Sequence, residues 1–224
     1  MTNRTLVVTG GHGILGKAVV EAALAQGLNV ALIDHAAGKA PDGALEIGGV
    51  DLTDAGATGA AMAKVVERFG GIDALLNVAG GFVWQTTEDA HPAWNRMFAL
   101  NLTTALNASR AALPHLTASA EGRIVNVGAN GALKAAAGMG AYGASKSAVH
   151  RLTEALAEEL KSTSVTVNAV LPSILDTPQN RTDMPDADPA TWVQASDLAE
   201  VMLFLASPAS RAMTGALVPV TGRV

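Results

Sequence analysis

The chain has 224 residues, 49% of them hydrophobic and 16% charged, with a formal charge of −5. That balance suits one domain with a full core and excludes a disordered tail, a salt-bridged coiled coil, a nucleic-acid surface and a polybasic membrane patch. Cysteine is absent and tyrosine occurs once, against four Phe and three Trp, which excludes disulfides and thiolate chemistry, fits a cytoplasmic setting and draws attention to the one phenol.

Short β-branched runs alternate with Ala/Leu-rich segments of helical period. Leu6–Thr9 reads as a first strand and Ile14–Gln26 as a helix closed by Gly27, with Asn29–Ile33 as a second strand ending at Asp34. After a turn-rich stretch, Leu45–Ile47 is a short third strand, Ala55–Phe69 a helix stopped by Gly70-Gly71, and Ala74–Val78 a fourth strand. Pro92–Thr117 is a long helical tract, Arg123–Val127 a fifth strand, Gly140–Lys161 a second long helix and Val165–Leu171 a sixth strand. A Pro/Asp-rich loop from Pro172 to Pro189 precedes a helix over Asp197–Ala206, expected to be capped by Ser196, and a last strand near Leu217–Val220. The alternation predicts an α/β chain: a single-domain, doubly wound parallel sheet of about seven strands, helices on both faces, and ligands outside the carboxyl ends of the strands. The 172–192 segment is the natural substrate lid. No repeat, linker, targeting signal or membrane span is read; the apolar run over Thr5–Thr9 ends at Gly10-Gly11, too short to cross a bilayer.

Two groups carry chemistry. The first strand runs into Gly10-Gly11-His12-Gly13-Ile14-Leu15-Gly16, a G-x-G-x-x-G opening a helix. Absent side chains let the backbone approach a pyrophosphate, and the helix N-terminus faces its charge. Asp34 stands 18 residues after Gly16, where a carboxylate accepts from adenosine ribose hydroxyls and repels a 2′-phosphate. NAD(H) is therefore expected over NADP(H), although His35 and Lys39 lie close. The second group is Tyr142-Gly143-Ala144-Ser145-Lys146, a phenol and an ammonium sharing one helix face. The ammonium is expected to lower the phenol's pKa and so suit Tyr142 to proton exchange during hydride transfer.

These motifs, with Asp51-Leu52 after the third strand, Asn77-Val78-Ala79-Gly80 after the fourth, Asn101, Pro172–Thr177 and Thr214-Gly215, resemble the short-chain dehydrogenase/reductase family over essentially the whole chain. The resemblance implies an NAD(H)-dependent oxidoreductase. In it Tyr142 is the acid/base, Lys146 holds the nicotinamide ribose, and Asn101 holds a water in the proton relay. Asp51 with Leu52 meets the adenine, Asn77, Ala79 and Gly80 line the cofactor, and Pro172, Ile174 and Thr177 contact it. A homo-oligomer, tetramer ahead of dimer, is implied through the two long helices.

There are two departures. The glycines also read Gly10-x-x-Gly13-x-x-Gly16, with Ile14 where the usual family loop has its next glycine. The family's serine, 13 residues before the tyrosine, is Ala129, followed by Asn130 as a candidate substitute. The second departure, with Gly128 to Trp192, is similar to the quinonoid dihydropteridine reductase branch, which also lacks the serine and uses NADH.

Phe82, Trp84, Ala129, Asn130, Met139, Ile174 and Met184 are positioned to border a small carbonyl, alcohol or quinonoid substrate. Asp176 and Asp183 read as solvated or capping. The histidines (His12, His35, His91, His115, His150) have no metal spacing, so no metal is expected, and His12 is expected to act through its backbone and as a lid over the cofactor. Intact Asn101, Tyr142 and Lys146 favour an enzyme; Ala129 favours the rival reading, a cofactor-binding sensor or scaffold.

Overall fold

The computed structural model describes residues 4–88 and 92–224, so His91 lies outside the described residues. The chain runs β1 (Thr5–Thr9), α1 (Ile14–Ala25), β2 (Asn29–Ile33), β3 (Leu45–Ile47), α2 (Ala55–Phe69) and β4 (Ala74–Asn77). It continues with α3 (Pro92–Phe98), a π-helical turn (Ala99–Thr103), α4 (Thr104–Ala118), β5 (Arg123–Val127), α5 (Gly140–Glu159) and β6 (Thr166–Pro172), then α6 (Pro178–Asp183), α7 (Ala195–Leu205) and β7 (Leu217–Val220).

The strands form one parallel sheet of seven in the order β3-β2-β1-β4-β5-β6-β7. Strand order reverses between β1 and β4, which opens a crevice at their carboxyl ends. Successive strand residues point to opposite faces, and both faces are covered. Val7, Ala31, Leu75 and Ile124 pack under α2, α4 and α5, with Met62, Val65, Ala112, Leu116 and Leu156 opposite them. Leu6, Val8, Leu32 and Leu76 pack under α1 and α7 against Val19, Val20, Leu198 and Met202. This is why the strands read as continuous apolar runs.

The sequence expectation differs from the structure at three places. The long tract after Pro92 is divided by the π turn, whose extra residue swings Asn101 inward, where it is buried. The 172–189 loop contains α6, started by the Thr177 hydroxyl, which accepts from Asn180 N at 3.1 Å, and by Pro178 in the first turn. The cap of α7 is Gln194, not Ser196: the Leu198 amide already donates to the Gln194 carbonyl, so the first turn closes earlier, and no side chain caps it. No helix among the described residues is long and apolar enough to cross a membrane.

Candidate functional site

A cleft of about 900 Å³ opens at the carboxyl ends of the strands. Its floor is the turn after β1. Gly10 has φ +66°, and a Cβ there would lie 2.8 Å from Ala79 Cα in the neighbouring turn after β4. A Cβ on Gly16 would lie 2.2 Å from the Gly10 carbonyl, and one on Gly11 would meet the Leu32 side chain. A Cβ on Gly13 would touch only the Gly10 carbonyl, at 3.3 Å. Gly13 is the N-cap of α1, and no side chain caps that helix, so its first-turn amides are left for a ligand. The Thr9 hydroxyl accepts from the amides of Val78 (3.1 Å) and Ala79 (3.2 Å), which ties the two turns together.

Asp34 lines one end of the cleft. Its Oδ2 accepts from His12 N at 2.9 Å and its Oδ1 from Ala36 N at 2.9 Å. The His12 ring does not close over the cleft as expected; its Nε2 lies 3.0 Å from Glu46 Oε1. Asp51 and Leu52 line the same end, where the Thr53 hydroxyl and amide hold the Asp51 carboxyl below its ordinary range. The glycine cradle, the uncapped helix start and a carboxylate at the far end fit a dinucleotide's pyrophosphate and ribose diol.

Tyr142 and Lys146 line the other end, along one face of α5, with Ala79, Gly80 and Phe82 beside them. The Phe82 ring meets the Tyr142 ring edge-on, centroids 4.9 Å apart. Burial pushes the phenol up to about 12 and the Lys146 ammonium down to about 8. The expected lowering of Tyr142 by Lys146 is therefore corrected: desolvation dominates both groups, and Lys146 Nζ donates to the Val127 carbonyl at 2.7 Å.

Asn101 does not line the cleft. Its Oδ1 accepts from Gly81 N (2.9 Å), and its amide NH₂ donates to Gly81 O (3.1 Å) and Ser145 Oγ (3.0 Å). Ser145 in turn donates to the Tyr142 carbonyl at 2.8 Å. The side chain thus clamps the turn after β4 to α5. Asn77 is likewise beneath the cleft, donating to Ser109 Oγ (3.1 Å) and Asn126 Oδ1 (2.8 Å).

Of the remaining expected residues, Ile14, Leu15 and Thr177 line the cleft, while Gly11, His12, Pro172, Ile174, Trp84, Ala129, Asn130, Met139 and Met184 do not. Trp84 donates to Ala137 O at 3.1 Å and packs on Gly138, strapping the 82–85 segment to the loop before α5. Ala129 is 3% exposed, and its amide donates to His150 Nε2 at 3.3 Å. Asn130 is half-buried beside it, outside the cleft wall. Asp176 is held at about 2, first by Arg181, whose Nε and Nη2 donate to its two oxygens at 2.7 and 2.8 Å. Sequence reasoning missed Val50, Thr53, Gly81, Leu100, Thr104 and Gln179 in the lining. It also missed Asn107, which donates to the carbonyls of Leu52 and Thr53 at 3.0 Å. The Thr177-Pro178 start of α6 was the available signal for Gln179; the others depend on long-range packing. Among the described residues no group of three or more His, Asp or Glu could hold a metal.

Comparison with known proteins places this geometry. A family model described as short chain dehydrogenase matches residues 4–188. The chain is 32% identical to 2-(S)-hydroxypropyl-CoM dehydrogenase 3 from Xanthobacter autotrophicus, over 99% of this chain and 96% of that one. The crystal structure of a short-chain dehydrogenase/reductase, glucose/ribitol dehydrogenase, from Brucella melitensis superposes with TM-score 0.90 at 31% identity, covering 99% of this chain and 96% of that one. A 3-ketoacyl-(acyl-carrier-protein) reductase from the same organism, complexed with NADH, gives TM-score 0.86 at 26% identity, covering 98% and 97%.

Proposed function

The chain belongs to the short-chain dehydrogenase family, and on that footing we propose that it transfers hydride between NAD(H) and a small carbonyl, alcohol or quinonoid ring, with Tyr142 as the acid/base. One observation carries the reading: Tyr142 and Lys146 line the same cleft as the glycine turn and Asp34. NAD(H), when bound, supplies or accepts the hydride.

The protein's own residues do the rest. Gly10, Gly13 and Gly16 admit the pyrophosphate, and Asp34 takes the ribose hydroxyls and disfavours a 2′-phosphate. With its phenol pushed up to about 12, Tyr142 is protonated at neutral pH and suited to donate to a substrate oxygen. Lys146, buried one turn on, offsets the phenolate left behind. Asn101 acts by fixing Gly81 and Ser145, and through Ser145 the backbone of Tyr142. A quinonoid ring, as in the dihydropteridine reductase branch, is the substrate class that best tolerates Ala129 in place of serine.

The proposal is tested by NADH consumption against ketones, quinones and quinonoid dihydropterin. Ala129 favours the second reading, a cofactor-binding sensor or scaffold, and NADH binding without turnover on any of these would support it. We also infer a homo-oligomer, tetramer ahead of dimer, supported by the exposed apolar side chains Leu106 on α4 and Phe204 on α7. Light scattering that returns the 22.7 kDa monomer would overturn this part.

A further inference from the structure

Beside the Asp34 end of the cleft, on the strand β3 that pairs with β2, a second carboxylate stands outside the cleft lining. Glu46, in the middle of β3, accepts from Gly38 N at 2.6 Å and Ala40 N at 3.3 Å, and its Oε1 lies 3.0 Å from His12 Nε2. Asp34 itself accepts from His12 N and Ala36 N. The two side chains therefore take up donors from the glycine turn and from the 36–40 loop, in a nest of backbone amides of the kind that binds anions. Gly38 is part of the fit, because a Cβ there would lie 2.7 Å from the His12 ring.

We propose that Glu46 is a specificity-determining residue that excludes a 2′-phosphate by filling this nest and engaging the His12 ring. The proposal rests on the NAD(H) reading above and goes beyond it, since that reading assigns cofactor choice to Asp34 alone. A 2′-phosphate needs amide donors or a cation beside the ribose. The amides of Gly38 and Ala40 already end on Glu46, and so does the imidazole of the glycine turn. Lys39 is loosely paired with Asp42, at 3.9 Å. The Gly38 amide first, and then His12, hold the Glu46 carboxyl below its ordinary range, so it is ionised at neutral pH and repels a phosphate as well as denying it donors. Replacing Asp34 would remove one negative charge and leave the second, with its donors, in place.

The test is direct binding, read by fluorescence titration of NADH and NADPH, which differ only in the 2′-phosphate, on wild type, Glu46→Gln, Asp34→Ser and the double variant. Glu46→Gln keeps an acceptor for Gly38 N and removes the charge. It is expected to lower the NADPH-to-NADH ratio of dissociation constants about tenfold, with NADH affinity within about twofold, and to do so again in the Asp34→Ser background. A ratio unchanged by Glu46→Gln in both backgrounds, with wild type preferring NADH, overturns the role of Glu46 and leaves the NAD(H) reading standing. A wild type that binds NADPH at least as tightly as NADH overturns both.

Discussion

Lys146 Nζ donates to the carbonyl of Val127 at 2.7 Å, crossing from α5 to the end of β5 instead of meeting the phenol of Tyr142 one turn before it. The ammonium is buried and has lost most of its hydration, which lowers it from 10.5 to about 8. Its charged form is thus disfavoured in the folded state. Below about pH 8 both folded and unfolded chains carry the proton and the penalty is complete; between 8 and 10.5 the unfolded chain binds more protons, so stability rises with pH. Tyr142 acts in the opposite sense above pH 10, where the unfolded chain ionises first and stability falls. Urea unfolding of the ligand-free protein should show stability rising by about 2 kcal/mol between pH 8 and 9.5 relative to Lys146→Met, which lacks the titrating group. Parallel pH profiles for the two proteins would show that Lys146 is not desolvated.

The glycines of the turn after β1 differ in what they make room for. Gly16→Ala sets a Cβ 2.2 Å from the Gly10 carbonyl and 2.7 Å from Gly11 Cα, both backbone. The turn must move, so a loss of about 1–3 kcal/mol in stability is expected together with lost NADH binding. Gly13→Ala has only a 3.3 Å contact with the Gly10 carbonyl. It should melt within a few degrees of wild type while binding NADH about tenfold or more weakly, because the space it fills is the ligand's. Calorimetric melting paired with NADH titration separates the two, and undiminished binding by Gly13→Ala would remove the cradle.

Tyr142→Phe deletes a hydroxyl and leaves the edge-on contact with Phe82 in place. Stability and NADH affinity should stay close to wild type. Turnover should fall by about 10²–10⁴, the usual worth of a positioned acid/base. Since the chain has no other tyrosine, residual activity cannot come from a neighbouring phenol. Full activity in this variant would refute the assignment.

The strand and helix pattern was legible because both sheet faces are buried, which makes the strands apolar runs and the helices one-sided. Even the short β3 was readable, flanked as it is by turn residues. Features that depend on distant partners were not. The π turn at Ala99–Thr103 leaves the apolar period intact, and the partner that Asn101 meets there, Gly81, lies twenty residues away. Glu46 looks like an ordinary strand residue until folding brings it to His12, across 34 positions. The sense of the Tyr142 shift was misread for a related reason: helix spacing puts Lys146 beside the phenol, but only the packed structure gives the burial of both and the pull of the Val127 carbonyl. Gln194 as the cap of α7 is a further case, since Ser196 is the better capping side chain and the turn closes two residues earlier regardless.

Ala129 occupies the place where the family's serine would stand, and its surroundings are rigid. Its amide is held by His150 Nε2 at 3.3 Å, and the preceding Gly128 lies so close to the same ring that a Cβ would come within 2.6 Å. Burial lowers His150, which keeps the ring neutral and able to accept. Ala129→Ser therefore adds a hydroxyl at a fixed backbone position. If simple ketones are held back only by the missing donor, kcat/KM for them should rise about tenfold or more, within the 10²–10³ that one preorganised donor can supply. Reduction of quinonoid dihydropterin should change by less than about threefold. Parallel assays of wild type and Ala129→Ser on both substrates decide the matter: equal gains on ketone and dihydropterin would mean the hydroxyl is equally missed by both, and the preference for a quinonoid ring would fail.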